Sequence, residues 1–229
     1  IDGPAGAGKS TVARALAIAL GWAHLDTGAM FRAITLRLLE TGQVPAADGR
    51  VENEAELERT LAALDLAIDA KGRVLLDGVD VAARIREPRV DAAVSAVAAN
   101  PAVRGRLRDA QRAFARGRPT VAEGRDLGTV VFPRARWKIW LDASLAERAR
   151  RRALEQRDRS GSDTTALRES EVARAMAERD RADSSRVHAP LEQAADAVVV
   201  DTTGLTIEQV VARLVTLVRA GRGSEVSSA

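Results

Sequence analysis

The chain has 229 residues, 46% hydrophobic and 29% charged, the balance of a soluble globular protein with one large domain or a core carrying an insertion. Its 35 basic and 32 acidic residues nearly cancel to +3, and aromatics are only 3% with no Tyr, which argues against a base-stacking nucleic-acid track. Zero cysteines exclude disulfides and thiolate chemistry and fit a reducing, cytoplasmic compartment, while His24 and His188 alone make a His-rich metal site untenable. No apolar run approaches the ~20 residues of a membrane span. No signal peptide is visible, and the start at Ile1 rather than Met leads us to expect residues upstream.

In chain order, Ile1-Asp2 reads as the tail of a buried strand. Gly3-Pro4-Ala5-Gly6-Ala7-Gly8-Lys9-Ser10-Thr11 then matches G-x-x-x-x-G-K-[ST] in full. Such a loop curls so that consecutive N–H groups cradle phosphate oxygens, and the helix after it (Ser10 to Leu20) turns its positive end toward the anion. Lys9 can reach the β- and γ-phosphates, and the Ser10 hydroxyl is the expected Mg²⁺ ligand. A nucleoside triphosphate, ATP, is therefore the expected ligand of residues 3–11. No Asn/Thr-Lys-x-Asp element of a GTPase accompanies the loop, nor an apolar strand ending in Asp-Glu, which leaves the small-molecule kinases. Aspartates that end apolar runs, Asp77, Asp142 and Asp201, read mainly as strand exits.

Further strands are expected at Ala23–Asp26, Thr120–Glu123, Trp137–Leu141 and Ala197–Val200, with helices at Ser144–Arg157 and Thr206–Arg219 opened by the capping boxes Ser144-x-x-Glu147 and Thr206-x-x-Gln209. Alternating strands and helices imply an α/β fold with a five-stranded parallel sheet, ligands lying at the carboxyl ends of its strands. Residues 42–99 break that rhythm: a helix (Glu52–Leu64) precedes short runs around Lys71-Gly72 and Asp77-Gly78, both hairpin signals. The organisation expected is a core of 1–41 and 100–220, a small α+β insertion at 42–99, and a frayed Gly/Ser-rich tail at 221–229.

Four more segments make the pattern specific: Asp26-Thr27-Gly28-Ala29-Met30-Phe31-Arg32, Ile85-Arg86, the run from Glu123-Gly124-Arg125-Asp126 to Phe132-Pro133, and Arg179-Asp180 through Asp183-Ser184 to Arg186 and Pro190-Leu191. With the loop at residues 3–11, they resemble the bacterial cytidylate kinase family, whose members phosphorylate CMP and dCMP with ATP. The resemblance runs from Ile1 to about Arg219 and implies a P-loop kinase fold, with the insertion as the monophosphate-binding domain. Phe31 departs from it, because the family commonly has Tyr there.

A dianionic acceptor must approach a tetra-anionic donor, so several guanidiniums are needed to bind and screen phosphate. Arg32, Arg125, Arg179 and Arg186 are the candidates, each expected near a strand end or in a turn rather than on a helix face. The resemblance assigns Arg125, Arg179 and Arg186 to the acceptor phosphate or the transferring group, with Lys9 completing the catalytic set. It also implies Thr27 and Arg32 on the acceptor side, Ser95, Arg104 and Asp126 on cytosine, and Asp183 on the ribose. Asp126 would accept from the N4 amino group, while Ser95 and Arg104 donate to the ring acceptors.

The basic run Arg148, Arg150, Arg151 and Arg152, continuing to Arg157 and Arg159 before Ser160-Gly161-Ser162, resembles the lid of nucleoside monophosphate kinases, at about 148–165. Arg148, Arg151 and Arg152 are its candidate phosphate cations; a solvated helix paired with Glu147 and Glu155 is the competing reading. The expected activity is that of a monomeric, Mg²⁺-dependent kinase of CMP and dCMP whose partners are small-molecule nucleotides. Rival readings are a kinase of the same fold acting on UMP, and an ATPase tracking nucleic acid.

Overall fold

In chain order the helices are α1 (Lys9–Leu20), α2 (Thr27–Thr41), α3 (Glu54–Ala63), α4 (Pro88–Ala99), α5 (Pro101–Ala115), α6 (Leu145–Ser160), α7 (Ala166–Ser184) and α8 (Ile207–Arg219). The strands are β1 (Ala23–Asp26), β2 (Leu66–Ile68), β3 (Val74–Leu76), β4 (Val79–Asp80), β5 (Thr120–Glu123), β6 (Ile139–Asp142) and β7 (Val198–Asp201). This computed structural model describes residues 1–69, 72–160 and 166–221, without the side chains of 156–160 and 166–168. The Lys71 turn, residues 161–165 of the expected lid with the side chains of Arg157 and Arg159, and the tail 222–229 lie outside the described residues. Among the described residues, no helix is long and apolar enough to cross a membrane.

The chain forms two compact units. One comprises Ile1–Trp22, Glu123–Ser185 and Ala189–Ala229; the other comprises Ala23–Ala122 with Arg186–His188. In the first unit, β6 and β7 run parallel from Ile139 opposite Val198 to Asp142 opposite Asp201. Ile1-Asp2 lies against β6 through Asp2 N–H to the Ile139 carbonyl (2.8 Å) and Leu141 N–H to the Asp2 carbonyl (2.8 Å). Its other side accepts Gly124 N–H on the Ile1 carbonyl at 3.0 Å.

The protein is a mixed α/β fold with parallel strands, as a P-loop kinase requires, but its strands appear as smaller sheets than the single five-stranded sheet expected. β1 pairs with β5, β6 with β7, and the first strand is reduced to an isolated parallel bridge from Asp2 to Trp140. Only Ile1 and Asp2 precede the turn at Gly3 (φ 149°), and both bond to their neighbours there. Asp142 and Asp201 behave as strand exits, accepting the nearby N–H groups of Ala143 and Thr203.

Helix α8 packs on α1 because its apolar residues fall on one stripe: Val210, Leu214, Leu217 and Val218 are buried there, as are Val12 and Leu16 of α1. Thr206 and Gln209 close the expected capping box, Thr206 Oγ1 accepting Gln209 N–H and Gln209 Oε1 accepting Thr206 N–H. In the second unit, β2, β3 and β4 form the expected antiparallel meander, and α2 packs against α4 over a core of Met30, Ile34, Leu38, Val90 and Val97.

Candidate functional site

The phosphate loop is built by close approach. A Cβ at Gly3 would collide with the Leu141 carbonyl oxygen and one at Gly6 with Met176 Cε of α7, and Gly6 also has φ 74°, so both positions require glycine. Gly8 starts α1 in the left-handed region with no side-chain cap, leaving the helix entrance to backbone N–H groups. Lys9 is buried, and its ammonium donates to the Gly3 (2.9 Å) and Pro4 (2.7 Å) carbonyls. Burial first, then the Arg125 charge, pushes its pKa well below that of an ordinary lysine. A polyphosphate beside it would favour the charged form.

Around the loop stand acids and guanidiniums in pairs. Arg125 Nε donates to Asp183 (3.1 Å), and its Nη1 donates to the Gly3 carbonyl (2.9 Å). Arg148 is buried, donating to the carbonyls of Ala143 (3.0 Å) and Ala5 (2.9 Å) and to Asp180 (2.5 Å). Arg151 donates to Glu147 (2.8 Å) and to Thr202 Oγ1 (3.0 Å) and carbonyl (2.7 Å), with its Nη1 in van der Waals range of a Cβ built on Gly8. Arg152 pairs with Glu155 along α6. Thus Arg148 and Arg151 reach the loop. Asp126 is buried at the head of the π-helical turn Leu127–Val131, its carbonyl accepting Val130 N–H at 2.9 Å. Asp183 is buried and Arg179 half-buried, both on α7.

The second unit gathers its candidates on one face of α4. Arg32 donates to Asp91 and to the Ile85 carbonyl. Arg186 Nη2 lies 3.5 Å from the Ser95 carbonyl, and Arg104 Nη1 donates to the Ala98 carbonyl at 3.1 Å. Positions 91, 95 and 98 share one helix face. The Arg104 guanidinium also sits 5.5 Å over the Phe31 ring, so a benzene ring serves there without the hydroxyl of Tyr. Thr27 is buried as the first residue of α2. Two expectations need correction: Arg32 and Arg179 lie on helices, not in turns. Asp26 accepts Ala29 N–H and starts α2 at once after β1, and α7 runs through to Ser184.

With this geometry in hand, comparison with known proteins is direct. The sequence profile of the family described as cytidylate kinase matches residues 1–220. The chain belongs to the cytidylate kinase family. It is 48% identical over 226 residues to a cytidylate kinase of Pelotomaculum thermopropionicum, covering 97% of this chain and 96% of that protein. It is 45% identical to one from Geobacter sulfurreducens, covering 96% and 91%, and 43% identical to one from Caldanaerobacter subterraneus subsp. tengcongensis, covering 99% and 96%.

Residues that the sequence alone does not single out stand out in the structure. Glu123 is buried and accepts the Ser10 hydroxyl at 2.6 Å. Asp2, also buried, accepts the N–H groups of Leu127 (3.0 Å) and Gly128 (2.7 Å) and so fixes the Arg125-Asp126 segment. Asp180 touches the loop itself. The signals were present, as an acid ending β5 and an acid before the loop, but their partners lie more than a hundred residues away.

The residues present fit a Mg²⁺ ion. Magnesium keeps several waters and takes one or two protein oxygens plus phosphate oxygens, and Ser10 Oγ with the Glu123 carboxylate offers that hydroxyl–carboxylate pair. Among the described residues, no cluster of three or more His, Asp or Glu forms an all-protein cage. A nucleotide-dependent site needs none.

Proposed function

We propose that this member of the cytidylate kinase family transfers the γ-phosphoryl group of ATP to CMP and dCMP. The observation that carries the reading is an intact phosphate loop, glycines and buried Lys9 in place, in a chain that matches the family over residues 1–220. An oxygen of the acceptor phosphate bonds to the γ-phosphorus as the bond from that phosphorus to the β–γ bridging oxygen breaks, giving CDP and ADP. Such transfer asks for positioning and charge rather than covalent help. Residues 3–11 bind ATP, and Lys9 supports the charge that develops on the bridging oxygen. Mg²⁺, held by Ser10 with Glu123 behind it, would neutralise charge on the β- and γ-phosphates.

On the acceptor side Arg125, Arg179 and Arg186 bind the monophosphate or the transferring group, with Thr27 and Arg32 supporting them. Ser95, Arg104 and Asp126 read cytosine, and Asp183 the ribose. Residues 42–99 form the monophosphate-binding insertion. The reading also includes a five-stranded core sheet, a lid at about 148–165 with Arg148, Arg151 and Arg152, a monomeric state and a cytoplasmic setting. It is tested by a coupled assay with ATP and Mg²⁺ over CMP, dCMP, UMP, AMP and GMP. CMP and dCMP should give the highest kcat/KM. Equal or better turnover of AMP or GMP, or none of CMP, would sink it.

A further inference from the structure

Both backbone polar groups of one loop residue, Ala5, are taken by a single ion pair. Ala5 N–H donates to Asp180 Oδ1 at 2.9 Å, and the Ala5 carbonyl accepts Arg148 Nη1 at 2.9 Å. The pair closes on itself through Arg148 Nη1 to Asp180 Oδ2 at 2.5 Å, with side chains 10% and 17% exposed. Behind it, Ala5 packs with Ala149 of α6 and Met176 of α7, and Val172 and Ala173 flank that cluster. The missing Cβ of Gly6 admits Met176 and the Arg148 Cβ.

We infer that Asp180 is a positioning residue of the donor site, acting with Arg148 to fix Ala5 and so the curve of the phosphate loop. A carboxylate aimed at a loop that receives a polyphosphate would repel it, since like charges at such range in a partly buried site interact strongly. Arg148 cancels that charge, so the pair keeps the geometric benefit of the carboxylate without its repulsion. Its chemistry also separates Ala5 from the amides that follow. Ala5 N–H is directed at Asp180, so Ala5 serves the loop as its anchored point, and the phosphate cradle begins beyond it.

The inference rests on the reading of residues 3–11 as an ATP site. Its signature is an ordering of variants that packing alone does not produce. Arg148→Met leaves the Asp180 carboxylate facing the loop unscreened; Asp180→Ala removes the anchor; the double variant removes both anchor and repulsion.

The experiment titrates ATP, and separately CMP, into the full chain as wild type, Asp180→Ala, Arg148→Met and the double variant. Asp180→Ala should weaken ATP about tenfold, the scale of one lost charge-assisted hydrogen bond, and Arg148→Met should weaken it further. CMP affinity should stay within about twofold throughout. The double variant should bind ATP more tightly than Arg148→Met alone. Wild-type ATP affinity in Asp180→Ala, a double variant weaker than Arg148→Met, or equal losses for ATP and CMP would overturn the inference. Should Asp180→Ala fail to fold, Asp180→Leu takes its place with the same criteria, since it fills the space and accepts no hydrogen bond from Ala5 N–H. Wild-type protein that does not bind ATP would instead overturn the donor-site reading itself.

Discussion

The two units each use one helix to organise arginines, and they do it with different chemistry. In the first, α7 offers carboxylates: Asp180 holds Arg148 and Asp183 holds Arg125, and each guanidinium then reaches a loop carbonyl. In the second, the face of α4 offers one carboxylate, Asp91, and the carbonyls of Ser95 and Ala98. A carboxylate both orients a guanidinium and neutralises it, whereas a carbonyl orients it and leaves its charge in place. Carboxylates of α7 thus turn Arg125 and Arg148 toward the loop, while backbone carbonyls of α4 accept from Arg104 and Arg186.

The largest effect that would test this contrast is at Lys9. Lys9→Ala should lower kcat by two or more orders of magnitude, because a cation is lost where charge shifts in transfer. Near wild-type turnover would remove the loop from the mechanism. Arg179→Ala and Arg186→Ala should each lower kcat/KM by tens-fold, by similar factors for CMP and UMP, since both nucleotides bring the same phosphate. A loss confined to one nucleotide would make that arginine a base reader.

Stability should separate from catalysis in the packing of α8 on α1. Leu214 is fully buried, so Leu214→Ala should cost about 2–5 kcal/mol in denaturant unfolding while leaving KM for both nucleotides unchanged. A shift in KM would mean that this packing reaches the loop. The smallest effect is acidic. Hydrogen bonds from Arg150 first, then from Arg151, hold Glu147 down to about 2 from its ordinary 4.5. Because the folded value is the lower one, its contribution is present above about pH 4.5 and is lost as pH falls through about 2. Glu147→Gln should flatten the acid limb of stability against pH in that window, and identical limbs would show the pair to be inert.

What the sequence made legible follows from range. β1 and β5 lie at the residues read as strands, because short apolar runs bounded by polar turns carry their own signal. The cap of α8 is legible for the same reason. Helix α7 carries no clear apolar stripe, since Met176 and Asp183 are its buried residues among those described. Arg179, beside Asp180 and shortly before Asp183-Ser184, therefore does not read as helical from the sequence. The loop motif identified Lys9 and Ser10, but Glu123 lies 113 residues from Ser10 and Asp180 lies 175 from Ala5. Those distances have no local pattern; only the fold joins them.

Recognition of cytosine apart from phosphate is the central claim, and Asp126 tests it most directly. Cytosine has an N4 amino group where uracil has a carbonyl, and a buried carboxylate can accept from the first alone. The measurement is kcat/KM for CMP over UMP in wild type and Asp126→Asn. The ratio should narrow by roughly five- to a hundredfold in the variant, the scale of one buried hydrogen bond left unmade. An unchanged ratio in Asp126→Asn, with Arg179→Ala or Arg186→Ala altering it instead, would contradict the account.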